Sequence, residues 1–194
     1  MPARPRFAPR KPGAPSVGRR RGAVTSTEVV ATVPEGITSD EELAELIGSL
    51  TGKEVKVARG PVLEPGPALP VVASTYVDED GAIGALIIAD IAAAAGMSAA
   101  LTLMPAGSVT EAMRFGQMDE ALMENWGEIA NIATQLVRLP TFPMFKLSGS
   151  VQSATGLTPP VEALIKTARY RVGWTVQVPQ YANGRMSLLL HKDD

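Results

Sequence analysis

An amphipathic segment near the middle of the chain, residues 119–137, constrains the fold more than any other feature of the sequence. At about 100° per residue, as an α-helix requires, its apolar side chains fall within about 60° of Leu122; they are Trp126, Ile129, Ala133, Leu136 and Val137. Four polar side chains fall roughly 180° to 240° from Leu122, namely Glu124, Glu128, Asn131 and Gln135. The pattern predicts one long helix with a buried stripe and a solvent-exposed polar face.

The polar face of this predicted helix differs from an ordinary helix surface. Gly127 in mid-helix costs about 1 kcal/mol relative to Ala, and Asn131 is a poor interior helix former. A small residue beside an amide and a carboxylate indicates that a partner approaches this face closely. The alternative is plain surface, because in this composition one Glu-x-x-Asn arises by chance with a probability of roughly 0.2.

The composition limits the kinds of site that the chain can contain. Its 194 residues suit one domain plus a tail, and the absence of cysteine excludes disulfides and thiolate metal sites. We therefore expect a reducing, cytoplasmic location. The only histidine, His191, lies near the end of the chain, which disfavours a His-based zinc site or a Ser-His-Asp triad. No run of 18 apolar residues is present, so we expect no membrane span.

Residues 1–26 are basic and rich in proline. They contain seven Arg or Lys residues and no acid, whereas residues 27–194 carry a formal net charge of −9. We expect this tail to be disordered and the folded domain to span residues 27–194. Arg19, Arg20 and Arg21 could contact phosphates, an anionic surface or the protein's own acidic body, and a purely solubilising tail is equally consistent. Nucleic-acid binding is disfavoured, because the body is acidic and only 5% of the residues are aromatic.

The remaining sequence predicts strands joined by hairpins, with helices between them. The first predicted element is a helix that Thr38 or Ser39 caps, with Ser39 to Glu42 in the form of a capping box, and that Gly52 ends. In chain order there follow a strand (53–58), a hairpin (71–77 and 82–89), a helix capped by Asp90 (91–104), a short helical turn starting at Ser108, the long helix, a strand (144–152), a helix (160–167) and a second hairpin (169–178 and 185–190). The dipeptide Asn183-Gly184 is expected to form the turn of the second hairpin. The order predicts an α+β fold, a mostly antiparallel sheet with long helices packed on one face.

The segment around Glu124 to Ile132, with the strand–turn–strand–helix that precedes it, resembles the CheC/CheX family of chemotaxis phosphatases over about residues 45–190. The family pattern is an Asp or Ser, three residues, a Glu, two residues and an Asn on one long helix. Glu124, Glu128 and Asn131 occupy these positions here. Only one Glu-x-x-Asn copy of this kind is present, so the chain resembles the single-site CheX arrangement, which implies a homodimer.

The resemblance implies a phosphatase that hydrolyses the aspartyl phosphate of a CheY-like response regulator. In this role Asn131 would hold the attacking water, and Glu128 would pair with the active-site lysine of the receiver domain. Gly127 and Gln135 would contact the partner, and Glu124 would assist docking or be plain surface. No cofactor is expected in this chain, because the receiver carries its own Mg²⁺.

Two departures from the family pattern support an alternative function. Glu124 stands at the position of the family's Asp or Ser, and Ala154 stands where the family has a proline 23 residues beyond the Asn. The alternative is a non-catalytic relative, similar to the flagellar switch proteins of the same fold, that binds receivers or builds assemblies. Glu128 and Asn131 together favour the enzyme, whereas Glu124 and Ala154 favour the scaffold.

Overall fold

The computed structural model describes residues 37–138, 142 and 144–191, and the predicted basic tail, residues 1–26, lies outside this part of the chain. The elements of the described part, in chain order, are α1 (Asp40–Thr51), β1 (Lys56–Gly60), β2 (Val71–Val77), β3 (Ile83–Asp90), α2 (Ile91–Leu101), α3 (Ala106–Phe115), α4 (Glu120–Ile132), the 3-10 helix η1 (Ala133–Val137), β4 (Lys146–Gln152), the 3-10 helix η2 (Ser153–Thr155), α5 (Pro159–Thr167), β5 (Tyr170–Gln177) and β6 (Asn183–Leu190).

The six strands form one sheet in the order β1-β5-β6-β3-β2-β4. Every pairing between neighbouring strands is antiparallel. The predicted α+β fold with an antiparallel sheet is therefore confirmed. Strands β1 and β4 are the two edges of the sheet, and no residue of either strand is buried.

Side chains alternate along the central strands, so both faces of the sheet are covered. Ile87 of β3 belongs to the larger core, which the sheet forms with α1, α2, α3 and α4. Its neighbours Leu86 and Ile88 point to the other face, where Val161 and Leu164 of α5 cover them. The long helices lie on one face, as predicted, and α5 covers the other together with Leu63 from the segment before β2. Within the described residues, no helix is long and apolar enough to span a membrane.

Helix α1 begins with the capping box that the sequence predicts. The Ser39 hydroxyl accepts a hydrogen bond from the Glu42 amide at 3.1 Å, and the Glu42 carboxylate accepts one from the Ser39 amide at 2.8 Å. The hydrogen bond from the Ser39 amide to the carboxylate, followed by the interaction with the Ser39 hydroxyl, lowers the pKa of Glu42 from its ordinary value. Gly52 ends the helix with a φ of 65°, in the left-handed region that glycine adopts without strain.

The predicted turn at Asn183-Gly184 is wrong. Both residues lie in β6, where Gly184 pairs with Val176 of β5. The turn lies earlier in the chain and is closed by a hydrogen bond of 3.0 Å from the Tyr181 amide to the Val178 carbonyl. Gly184 is small because α2 begins directly against it, so that an added Cβ would overlap the backbone nitrogen of Ala93. The glycine therefore permits close packing between a strand and a helix.

Other element boundaries differ from the predictions in instructive ways. Helix α3 has ten residues (Ala106–Phe115) where a short helical turn was predicted, because Val109 and Ala112 supply a buried stripe that anchors it. The edge strand β1 is shifted towards Gly60, where it continues to pair with β5. Tertiary contacts, more than local sequence, determine these boundaries.

Candidate functional site

The candidate site lies on α4, which begins at Asp119. The Asp119 carboxylate accepts a hydrogen bond from the Leu122 amide at 2.9 Å and so caps the helix. The predicted burial of Trp126, Ile129 and Ala133 is confirmed, as is the predicted exposure of Glu128 and Asn131. The single helix predicted over residues 119–137 is wrong in its last part, since the α-helix ends at Ile132 and continues as η1.

Two side-chain hydrogen bonds fasten α4 to strand β2. The Trp126 indole nitrogen donates to the Ser74 hydroxyl at 2.9 Å, and that hydroxyl also contacts the Ser150 hydroxyl of β4 at 2.8 Å. The Tyr76 hydroxyl donates to the Ala130 carbonyl at 2.7 Å. Burial raises the pKa of Tyr76, so its hydroxyl remains protonated and able to donate. The backbone of α4 beside Glu128 and Asn131 is thus held directly by the sheet.

Asn125 fastens α4 to α2. Its side-chain nitrogen donates to the Thr102 hydroxyl at 2.8 Å and to the Ser98 carbonyl at 3.2 Å. The two asparagines of α4 therefore have different roles: the Asn125 side chain is hydrogen-bonded to α2, whereas the Asn131 side chain is exposed to solvent. This role of Asn125 was not predicted; the available signal was its position between the buried stripe and the polar face of the helix.

The exposed face of α4 carries unpaired polar groups. Glu124, Glu128 and Asn131 are exposed, and their side chains make no hydrogen bond or ion pair with any other residue that the structure describes. Helix α4 contains Glu120, Glu124 and Glu128 at four-residue intervals and no basic residue. Like charges at this spacing repel one another. The face therefore presents negative charge and one free amide, a surface suited to a cationic partner group.

Gly127 lies within this face and is half-buried. A Cβ added at Gly127 would meet nothing within 4 Å. Packing among the described residues therefore does not require glycine, although glycine lowers the stability of a helix interior. The open space above Gly127 is available to a partner.

Gln135 lies beyond the end of α4. It lies in η1, where each residue advances about 120° about the axis instead of about 100°, so the helical-wheel prediction does not apply to it. Gln135 is exposed and lines a shallow groove of about 480 Å³ between α1 and η1, with Thr38, Glu42 and Glu45 on the α1 side. The structure places Glu124, Gly127, Glu128 and Asn131 on α4 and Gln135 on η1, which follows it.

Ala154 stands where the family that the sequence resembles has a proline. It is in η2 and lines a groove of about 550 Å³ together with Phe115 and residues 65–67. Among the described residues, no group of three or more His, Cys, Asp or Glu side chains is arranged to hold a metal ion. The chemistry of the α4 face is therefore that of carboxylates and an amide.

Comparisons with known proteins give structural similarity without sequence similarity. No family model matches the chain, and no curated protein matches it. The FliM–SpeE complex from H. pylori matches with a TM-score of 0.56 and 11% identity, over 78% of this chain and 81% of the other. FliY from Thermotoga maritima has a TM-score of 0.47 and 11% identity, over 76% of this chain and 81% of FliY. The CheX–CheY–BeF3–Mg complex from Borrelia burgdorferi has a TM-score of 0.45 and 10% identity, over 76% of this chain and 92% of the other. What the chain shares with the first of these is the fold.

Proposed function

We propose that this protein is a phosphatase that hydrolyses the aspartyl phosphate of a CheY-like response regulator. The observation that carries the proposal is the presence of Glu128 and Asn131 one turn apart on the exposed face of α4, with no side-chain partner among the described residues. In this mechanism Asn131 positions the attacking water, and Glu128 pairs with the active-site lysine of the receiver domain.

The chemistry of an acyl phosphate suits so simple a site. Attack by water on phosphorus requires an oriented nucleophile and neutralisation of the phosphoryl charge. The Mg²⁺ of the receiver supplies the charge neutralisation. The carboxamide oxygen of Asn131 accepts a hydrogen bond from the water without adding negative charge near the phosphoryl group. The phosphatase then needs no metal, cofactor or covalent nucleophile of its own.

The negative face of α4 explains how such a complex would be aligned. Glu128 offers a carboxylate to the lysine of the receiver, and Glu124, one turn earlier, adds to the field that attracts a cation. The open space above Gly127 lets the receiver backbone approach the helix. Gln135 would contact a receiver that extends from α4 over the groove between α1 and η1.

A second candidate function is a binding or scaffold domain without catalysis. The similarity of fold to the FliM–SpeE complex favours it, as do Glu124 and Ala154 at positions where the phosphatase family has other residues. Such a domain would use the same α4 face to bind a receiver and would leave the phosphoryl group in place.

A timed assay of phosphoryl loss separates these functions. A panel of phosphorylated receiver domains with Mg²⁺ is incubated with and without the protein, and binding to each receiver is measured in parallel. We expect at least one receiver to bind and to lose its phosphoryl group faster. Binding without acceleration would support the scaffold instead, and a panel with neither binding nor acceleration would refute both functions.

Replacing Glu128 with Ala is expected to weaken receiver binding and to slow dephosphorylation together. The loss of one partner from an interfacial charge pair leaves the lysine of the receiver unpaired, so we expect the Kd to rise at least about tenfold, or about 1.4 kcal/mol. Titration with the receiver measures the effect. Glu162→Ala is the matched control, since Glu162 is exposed on α5 at the opposite face of the sheet. Equal effects of the two variants would contradict the docking role of Glu128.

Replacing Gly127 with Ala is expected to stabilise the protein and to impair receiver binding. The free energy of unfolding should rise by about 0.5–1 kcal/mol, because Ala is the better helix former and its Cβ meets nothing in the chain. Urea denaturation measures the gain, and the receiver titration measures the loss. Gly107→Ala in α3, another helical position with open space around the Cβ, should leave receiver binding unchanged. Unaltered binding by Gly127→Ala would remove Gly127 from the docking surface.

The protein is also proposed to form a homodimer. Strand β4 has one side unpaired by any strand of the described sheet, and a second copy can cover such an edge. We expect light scattering at tens of micromolar to give twice the mass of one chain. A mass of one chain at that concentration would refute the dimer.

A further inference from the structure

The backbone next to Asn131 is held by a residue far away in the sequence. The Tyr76 hydroxyl, on β2, donates at 2.7 Å to the carbonyl of Ala130, the residue just before Asn131. In a continuing α-helix this carbonyl would accept the amide of Thr134. The α-helix instead ends at Ile132, and η1 begins at Ala133. The hydrogen bond from Tyr76 therefore coincides with the change from α-helix to 3-10 helix.

The turn that carries Asn131 is held from two sides. The Asn131 carbonyl accepts from the Thr134 hydroxyl at 2.6 Å, and the Ala133 amide contacts both the Asn131 and the Ile129 carbonyls. Tyr76 itself is fully buried, so its ring is packed and its hydroxyl has a fixed position. The bond from Trp126 to Ser74 holds the preceding turn. Thr134 belongs to the same helical segment as Asn131, whereas Tyr76 holds this backbone from the sheet.

We propose that Tyr76 is a positioning residue for Asn131. Its hydroxyl holds the last turn of α4 and so directs the Asn131 amide towards the attacking water. The catalytic part of this inference rests on the proposed phosphatase function, whereas the control of backbone conformation does not. Positioning matters because a misplacement of about 1 Å can lower a rate about 10²-fold.

The test is Tyr76→Phe in the full chain, which removes the hydroxyl and keeps the ring. Tyr181→Phe is the matched control, because the Tyr181 hydroxyl also donates to a backbone carbonyl, that of Met104, at 2.8 Å. NMR spectra of the free protein report the backbone amide of Thr134 and the side-chain amide of Asn131. We expect both signals to shift in Tyr76→Phe and to remain in place in Tyr181→Phe.

The kinetic readout separates positioning from a loss of stability. With a receiver that the wild type dephosphorylates, we expect Tyr76→Phe to lower the rate at saturation about tenfold or more and to change the Kd less than about threefold. Tyr181→Phe should alter neither. Equal rates for the two variants, or a fall in binding that accounts for the slower rate, would overturn the catalytic part of the inference.

The two proposals can fail separately. If the wild type accelerates no receiver, the phosphatase function fails and the NMR result alone decides the conformational role of Tyr76. Unshifted Asn131 and Thr134 signals in Tyr76→Phe would overturn that role whatever the activity. A measurement on the wild type checks the hydrogen bond independently. The Tyr76 hydroxyl proton should exchange slowly with water and show a nuclear Overhauser effect to the backbone amide proton of Asn131. Absence of this effect would count against the hydrogen bond.

Discussion

Replacing Asn131 with Ala is expected to abolish the acceleration of receiver dephosphorylation while leaving receiver binding nearly unchanged. The amide is assigned to the water and Glu128 to the partner, so the two functions separate at these residues. Orientation and activation of a water contribute about 10²-fold or more to a rate. Because the Asn131 side chain is exposed and has no partner among the described residues, the free energy of unfolding should change by no more than about 0.5 kcal/mol.

The measurement is the timed loss of phosphate from a responsive receiver, with the variant at concentrations that saturate binding. Asn183→Ala is the matched control, since Asn183 is also exposed and lies at the start of β6. We expect the control to retain full activity. An active wild type whose Asn131→Ala variant remains equally active would show the proposed mechanism to be wrong, although the fold would stand.

Replacing Trp126 with Ala is expected to lower the free energy of unfolding by about 3–5 kcal/mol, the cost of deleting a large buried side chain. Trp126 is 1% exposed and packs between α4 and the sheet. The variant also removes the hydrogen bond of its indole nitrogen to Ser74. The loss of apolar contact and the cavity both act against the folded state.

Urea denaturation followed by circular dichroism measures this loss. Trp126→Phe retains most of the apolar volume and lacks the indole nitrogen, so its loss should be clearly smaller than that of Trp126→Ala. A loss below about 1 kcal/mol for Trp126→Ala would be far under the usual cost for such a residue. It would mean that α4 does not pack against the sheet as described.

The parts of the fold that the sequence predicted correctly depend on residues close together in the chain. The capping box of α1 needs only Ser39 and Glu42, and the start of α2 needs only Asp90, whose carboxylate accepts from the Ala93 amide at 2.9 Å. The burial and exposure along α4 follow from spacing within one helix. In each case the cause lies within one or two turns of the residue concerned.

The features that the sequence analysis missed depend on residues far apart in the chain. Gly184 was wrongly predicted as a turn residue. Glycine is required there because the backbone of Ala93 lies against it, which the residues next to Gly184 in the sequence do not reveal. The 3-10 helix after α4 coincides with a hydrogen bond from Tyr76 to a carbonyl 54 residues later. The hydrogen bond by which Asn125 holds α4 against α2 depends on the position of Thr102. Such contacts cannot be read from the local sequence pattern, so the 3-10 helix that contains Gln135 could not be predicted.

The unequal burial of the strands has a consequence for how the molecule opens. Strands β3 and β6 are covered on both faces, whereas the edge strands β1 and β4 contain no buried residue. Local opening begins where few apolar contacts hold the backbone, so the edges should exchange amide hydrogens long before the centre. Helix α4 is bonded to β2, which pairs directly with β3. We therefore expect the backbone amides of α4 to exchange more slowly than those of either edge strand, so that the residues proposed for catalysis stand on one of the more slowly opening parts of the protein.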